Sequence, residues 1–173
     1  MAPSLSGHQR WKLIDHDAIL LAQARQRAAG LSNSQGQPVA VETHCVSLEA
    51  LAEVPLDDAH LVTASALLDL VSQQWIDAFV ARIAERQQAL LIALSVTGEW
   101  HFIDPQGAPV LDDEDRWLLA LFMAHQQRDK GLGDALGGQA HGALVAALEG
   151  LIIALNKPKR RGSSLRAAKS SCH

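Results

Sequence analysis

Leu61–Trp75, LVTASALLDLVSQQW, is the stretch whose reading decides the fold. It opens as an apolar, β-type run and then empties into small residues, Thr63, Ala64, Ser65 and Ala66, with Asp69 just beyond. Ser72 follows as a helix N-cap, and Ile76, Phe79, Val80 and Ile83 recur at i, i+3, i+4 and i+7, an amphipathic stripe. A strand that empties into small residues ahead of a helix is how an α/β protein builds a site at the carboxyl end of its sheet.

The pattern extends on both sides. Gln9–Ile14 reads as a short strand ending at Asp15, and Asp17 is placed to cap a helix that stops near Gly30. Ser32–Pro38, SNSQGQP, is loop chemistry, and Val39–Val46 alternates as a strand does. Leu48–Val54 is a short helical turn, Pro55–Asp58 a loop and His60–Ala66 the next strand. Ala89–Val96 is a continuous apolar run, as in a strand buried on both faces. Thr97-Gly98 is a turn, and Glu99–Asp104 a returning strand. Asp112, Asp113, Glu114 and Asp115 put negative charge in a helix's first turn, where the helix dipole favours it. Trp117, Leu118, Leu121, Phe122 and His125 then share one face, and Leu144, Leu148, Leu151, Ile152 and Leu155 form a last helical stripe. Strands alternating with helices predict an α/β fold, a mostly parallel sheet with helices on both faces.

Composition narrows the function classes. The length and 48% hydrophobic residues suit one domain with a real core. No apolar run reaches the roughly 18 residues of a membrane span. The start, MAPSLSGHQR, has no apolar signal-peptide region, and the two cysteines, Cys45 and Cys172, show no disulfide or metal spacing. A cytoplasmic protein with no membrane partner is the expectation. From Lys157 onward there are six basic residues and no acidic one, so residues 1–156 hold nine basic against 19 acidic side chains, a formal charge of −10. An acidic body is a poor nucleic-acid binder. The domain is expected over 1–156, with 157–173 as a solvated, disordered tail that can also touch phosphates or anionic surfaces.

Three clusters carry candidate chemistry. Asp15 ends a strand and opens a βα turn, where a carboxylate accepts hydrogen bonds from ribose hydroxyls; it and Asp17 can equally be helix caps. Thr63, Ala64, Ser65 and Asp69 either let a ligand approach backbone or form an ordinary strand-to-helix turn. His125 and Asp129 are four apart, a spacing that puts both on one helical face, as a base and its orienting carboxylate or as a surface pair. Trp75, Trp100 and Trp117 read as core or lid packing. GLGDALGG, Gly131–Gly138, follows a helix rather than a strand, so the dinucleotide-loop context fails. His44-Cys45 point to opposite faces and Cys172-His173 are terminal, so no metal site is expected.

WKLIDHDAILLAQA (Trp11–Ala24), LVTASALLDLVSQQW and HQQRDKGLGDALG (His125–Gly137) together resemble a bacterial family of class I S-adenosylmethionine-dependent methyltransferases, over about Ser4–Gly150. The resemblance implies a Rossmann-like fold. It implies Asp15 on the cofactor's ribose, His16 beside the adenine, and Ala64 and Ser65 at the methyl site. Asp69 and Lys130 would lie on the substrate side, with His125 and Asp129 orienting or deprotonating a small-molecule acceptor. It also implies an incomplete fold. The family's first strand and glycine-rich loop precede the segment where this chain opens, and a basic tail stands in place of two final antiparallel strands. The strands that would flank the missing one then either meet directly or leave a gap with two open edges. Three readings follow: a methyltransferase using S-adenosylmethionine; a non-catalytic remnant that dimerises through its open edges or takes a strand from a partner chain; and an interaction module with a basic tail.

Overall fold

A computed structural model describes residues 1–93, 101–126, 128–129 and 131–156. Lys130, Trp100, the Thr97-Gly98 turn and the tail 157–173 lie outside the described residues. The chain is α/β. In order come β1 (Arg10–Asp15), α1 (Ala18–Ala28), β2 (Ala40–Cys45), β3 (Leu61–Ser65), α2 (Gln73–Glu85), β4 (Ala89–Ala93), β5 (Phe102–Ile103), β6 (Pro109–Val110), α3 (Asp113–Gln126) and α4 (Ala140–Asn156). Short 3-10 helices at Leu48–Glu53 and Leu68–Leu70 lead into β3 and α2.

The helix starts follow local chemistry. The Asp17 carboxylate accepts from the Ile19 N–H at 2.7 Å and the Leu20 N–H at 3.2 Å, capping α1. Ser72 Oγ accepts from the Trp75 N–H at 3.3 Å and caps α2. The loop Ser32–Pro38 is organised by Asn33, the buried polar residue among the described positions. Its amide donates to Gly7 O at 2.8 Å and Gln37 Oε1 at 2.9 Å, and its oxygen accepts from the N–H groups of Gln35 and Gln37. All of its hydrogen-bonding groups are thereby engaged, as a buried amide requires.

The sheet is in pieces. β1 pairs with β2 in parallel, Arg10 opposite Ala40 through Asp15 opposite Cys45. β3 pairs with β4 in parallel, Leu61 opposite Ala89 through Ser65 opposite Ala93. β5 and β6 form a small antiparallel hairpin turned by Asp104, whose carboxylate accepts from the N–H groups of Gln106 and Ala108. Among the described residues no hydrogen bond joins β1 to β3. The expected single, mostly parallel sheet is therefore two parallel pairs with a break between them; of the strands expected over Ala89–Val96 and Glu99–Asp104, residues 94–96 and 99–100 lie outside the described residues, and the rest hold β4 and β5.

The core sits on one side of the parallel pairs. Ile76, Phe79, Val80 and Ile83 of α2 are all buried, Ile76 with 0% of its surface exposed. Trp75 stacks on Phe79 with ring centroids 5.0 Å apart and donates its indole N–H to Leu48 O at 2.8 Å. Leu144 of α4 is buried with them, and Leu148 and Leu151 pack alongside. Ile14, Val62, Leu90 and Ile92 cover the cluster from the strands. Each such buried aliphatic side chain contributes about 1.5–3 kcal/mol of transfer free energy. Helix α1 lies on the opposite face, against Thr43 and Cys45, whose side chains alternate with those facing the core.

Helix α3 departs from expectation. Among the described residues its apolar stripe finds no core: Trp117 is 66% exposed and Phe122 41%. Helical periodicity marks a face as apolar, but what covers it is a tertiary matter. No helix among the described residues is long and apolar enough to cross a membrane.

Candidate functional site

The chain leaves the break in the sheet in two directions. β1 leads through α1 to β2 on one side, and β3 leads through α2 to β4 on the other. The two helices lie on opposite faces. Chain order thus runs in opposite directions away from the break. Both wall strands run the same way, because Arg10 and Lys12 at the start of β1 both donate to Asp58, just ahead of β3. Asp15 and Ser65 therefore end the two strands at the same edge.

Asp15 stands half-exposed at the end of β1. Its Oδ1 accepts from the Asp17 N–H at 2.9 Å and lies 3.3 Å from His16 Nδ1. This is a local turn that leaves the second oxygen without a protein donor among the described residues. The His16 side chain is exposed. Across the break, Thr63 and Ser65 are exposed and Ala64 half-buried. Ala66 takes a left-handed conformation, φ 55°, and its N–H donates to Ala93 O at 3.1 Å. A non-glycine residue with that φ is strained, and strain of this kind concentrates where backbone is shaped for a ligand. Asp69, in the following 3-10 helix, has an Oδ1 that is buried with no hydrogen-bond partner. A buried carboxylate oxygen left unpaired is costly, and a ligand donor would relieve it.

The third cluster is not assembled as its spacing predicts. α3 ends at Gln126, so His125 and Asp129 do not share a continuous helical face. His125 is exposed on the last turn. The Asp129 carboxylate is engaged elsewhere, accepting from the Gly131 N–H at 2.7 Å and the Gly133 N–H at 3.1 Å. No hydrogen bond or ion pair joins the two residues. The glycine-rich segment that follows is a structural clasp: Ser72 N–H donates to Leu132 O at 3.2 Å and Leu136 N–H to Val71 O at 3.0 Å. Sequence reasoning took Asp129 for a partner of His125 and missed this turn-forming role, which the Asp-x-Gly spacing signals.

Two grooves border these elements. One, of about 380 Å³, runs along the break itself between β1 and β3. The other, about 560 Å³, is a shallow face between α1 and β2 lined by Leu21, Arg25, Thr43 and Cys45. The smaller groove is lined from the starts of β1 and β3 as far as Ile14 and Thr63, the larger one reaches Ala18 and Cys45 beside Asp15, and none of Asp15, His16, Ala64, Ser65 and Asp69 lines either. At the break's entrance the Lys12 hydrogen bond, aided by the charges of Lys12 and Arg10, holds the Asp58 carboxyl below its ordinary value of 3.8. Among the described residues no group of three or more His, Cys, Asp or Glu side chains could hold a metal ion. No protein-family model, curated protein or solved structure matches this chain.

Proposed function

We propose that this chain is built on a Rossmann-like, class I methyltransferase plan and binds S-adenosylmethionine at the break between β1 and β3, for methyl transfer to a small acceptor. The observation that carries the reading is the reversal of chain order at a break flanked by Asp15 and Ser65. The residues present fit the nucleoside end of that cofactor. The open oxygen of Asp15 is placed to accept from ribose hydroxyls, and His16 adjoins it for the adenine. Ala64, Ser65 and the strained Ala66 leave room for close approach at the far wall. When bound, the cofactor supplies an activated methyl group. This chain's part is to hold it in line with the acceptor, since positioning dominates such transfers. Asp69, in the 3-10 helix that follows β3, is the carboxylate assigned to the acceptor side. His125 and Asp129, held apart here, are assigned no joint role.

Calorimetric titration of S-adenosylmethionine into the full chain tests the reading, with Asp15→Ala and Asp15→Asn as controls. A hydrogen bond to a charged group contributes about 1.5–3 kcal/mol, so losing it should weaken binding about 10- to 150-fold. The asparagine variant keeps the turn to Asp17 and separates ribose contact from local folding. Binding equal in all three proteins, or none in the folded parent, would overturn the assignment.

A further inference from the structure

The break between β1 and β3 is walled by two strand edges whose backbone groups point into it. In a parallel ladder, successive residues direct their N–H and C=O alternately to one side and the other. The Ala40 N–H donates to Gln9 O at 3.1 Å and the Val46 N–H to Asp15 O at 2.9 Å. These bonds assign residues 9, 11, 13 and 15 to β2, so the backbone groups of Arg10, Lys12 and Ile14 face away from it. Likewise the Ala89 N–H donates to His60 O at 2.9 Å and the Ala66 N–H to Ala93 O at 3.1 Å. Residues 60, 62, 64 and 66 thus face β4, and the backbone of Leu61, Thr63 and Ser65 faces the break. Residues of both walls, Arg10, Lys12 and Ile14 against Leu61 and Thr63, line the 380 Å³ groove. None of the six wall positions is buried.

We propose that this slot accepts an extended segment of a separate polypeptide as a central strand, parallel to β1 and β3. The segment it fits is five or six residues long, apolar and β-branched, and opens with an acidic side chain. The length follows from walls of six and five residues. The apolar character follows from both faces. Ile14 and Val62 pack on the α2 cluster beneath the slot, and Trp11 and Leu61 border it on the other side. A strand buried on both faces reads as a continuous apolar run. The acidic start follows from the groove's lining at the entrance, where Arg10, Lys12, His8 and His60 accompany one carboxylate, Asp58, with Glu42 outside the lining 3.9 Å from Arg10. The chain's own basic tail has the wrong charge and no apolar run. Among the described residues a second copy offers strands already paired on one side, and these present an edge rather than a free strand that could enter between two walls. Main-chain hydrogen bonds would supply affinity, and the alternating side chains specificity. The inference rests on the strand edges and stands without the cofactor reading.

Amide hydrogen exchange of the full chain, read by NMR, tests it. The probe is a synthetic peptide, Asp-Val-Ile-Val-Ile-Gly, with a polyethylene glycol tail for solubility. The control is Asp-Val-Pro-Val-Pro-Gly, which lacks two of the needed N–H groups. Alone, the chain should exchange rapidly at Lys12, Ile14, Thr63 and Ser65 and slowly at Leu13, Val62 and Ala64. The peptide should slow the first set by about tenfold or more and leave the second unchanged. No slowing at millimolar peptide, or equal slowing by the proline control, overturns the proposal. So does slow exchange of the first set without peptide: if concentration-dependent, a second copy fills the slot, and if not, the walls close on each other.

Discussion

Gly133→Ala should damage the fold more than the matched change two residues earlier, and the structure says by how much. Gly133 has φ +82°, and a methyl built on it meets Ser72 Cβ and Oγ, each at 2.9 Å. Ser72 cannot yield easily. Its Oγ caps α2, and its N–H is bonded to Leu132 O. Gly131 has φ +96°, but there the added methyl meets Glu49 Oε1 at 2.6 Å, the far end of a flexible side chain that can swing away. A left-handed backbone with a Cβ costs about 1–2 kcal/mol at either position. Crowding against a fixed neighbour adds about 1–3 kcal/mol at Gly133 alone. The expected losses are about 3 kcal/mol for Gly133→Ala and about 1.5 kcal/mol for Gly131→Ala. In a domain of this size these correspond to Tm decreases of about 6–12 °C and 3–6 °C. Urea titration followed by tryptophan fluorescence reads both, with Trp75, 8% exposed in the first turn of α2, among the chain's four tryptophans. Equal losses in the two variants, or a neutral Gly133→Ala, would refute the claim that the glycine-rich segment is clasped to the α2 cap.

Ile76→Ala removes a fully buried side chain from the centre of the α2 cluster and should cost about 3–4 kcal/mol in urea unfolding; a loss under about 1 kcal/mol would mean that α2 does not organise the core. Asp58 carries a pH prediction. Its folded carboxyl titrates below the ordinary 3.8, so the stability it lends is fully present above about pH 4 and disappears as the pH falls through the lower folded value. Asp58→Asn should therefore flatten the acid side of the stability profile, measured as urea midpoints, and an unchanged acid slope would show that the clamp to Lys12 and Arg10 contributes nothing. The effect is small, because the carboxylate is exposed and solvent screens it.

What could be read in the residues was local. Asp17 and Ser72 declare the starts of α1 and α2 because a cap needs only a side-chain oxygen and an N–H two or three residues on. The stripe Ile76, Phe79, Val80 and Ile83 declares a buried helix face for the same reason, and the structure buries all four. The strand ends that place Asp15 and Ser65 were legible too. The same reasoning failed where the outcome depended on distant parts. The stripe of α3 has the same helical spacing as that of α2, yet it stays exposed because no element among the described residues covers it. The four-residue interval from His125 to Asp129 carries meaning only if both lie on the helix, and Asp129 lies outside it.

The sequence by itself determined the caps of α1 and α2, the acidic body and the order of elements apart from β6, which the reading of Glu99–Asp104 as one returning strand left out. It left two arrangements open at the centre of the sheet: walls that meet, or walls that stand apart. Only the tertiary structure decided for the break. Strand pairing is made of hydrogen bonds between residues about 50 positions apart, such as Ile14 and Thr63, and no local pattern records whether those bonds form.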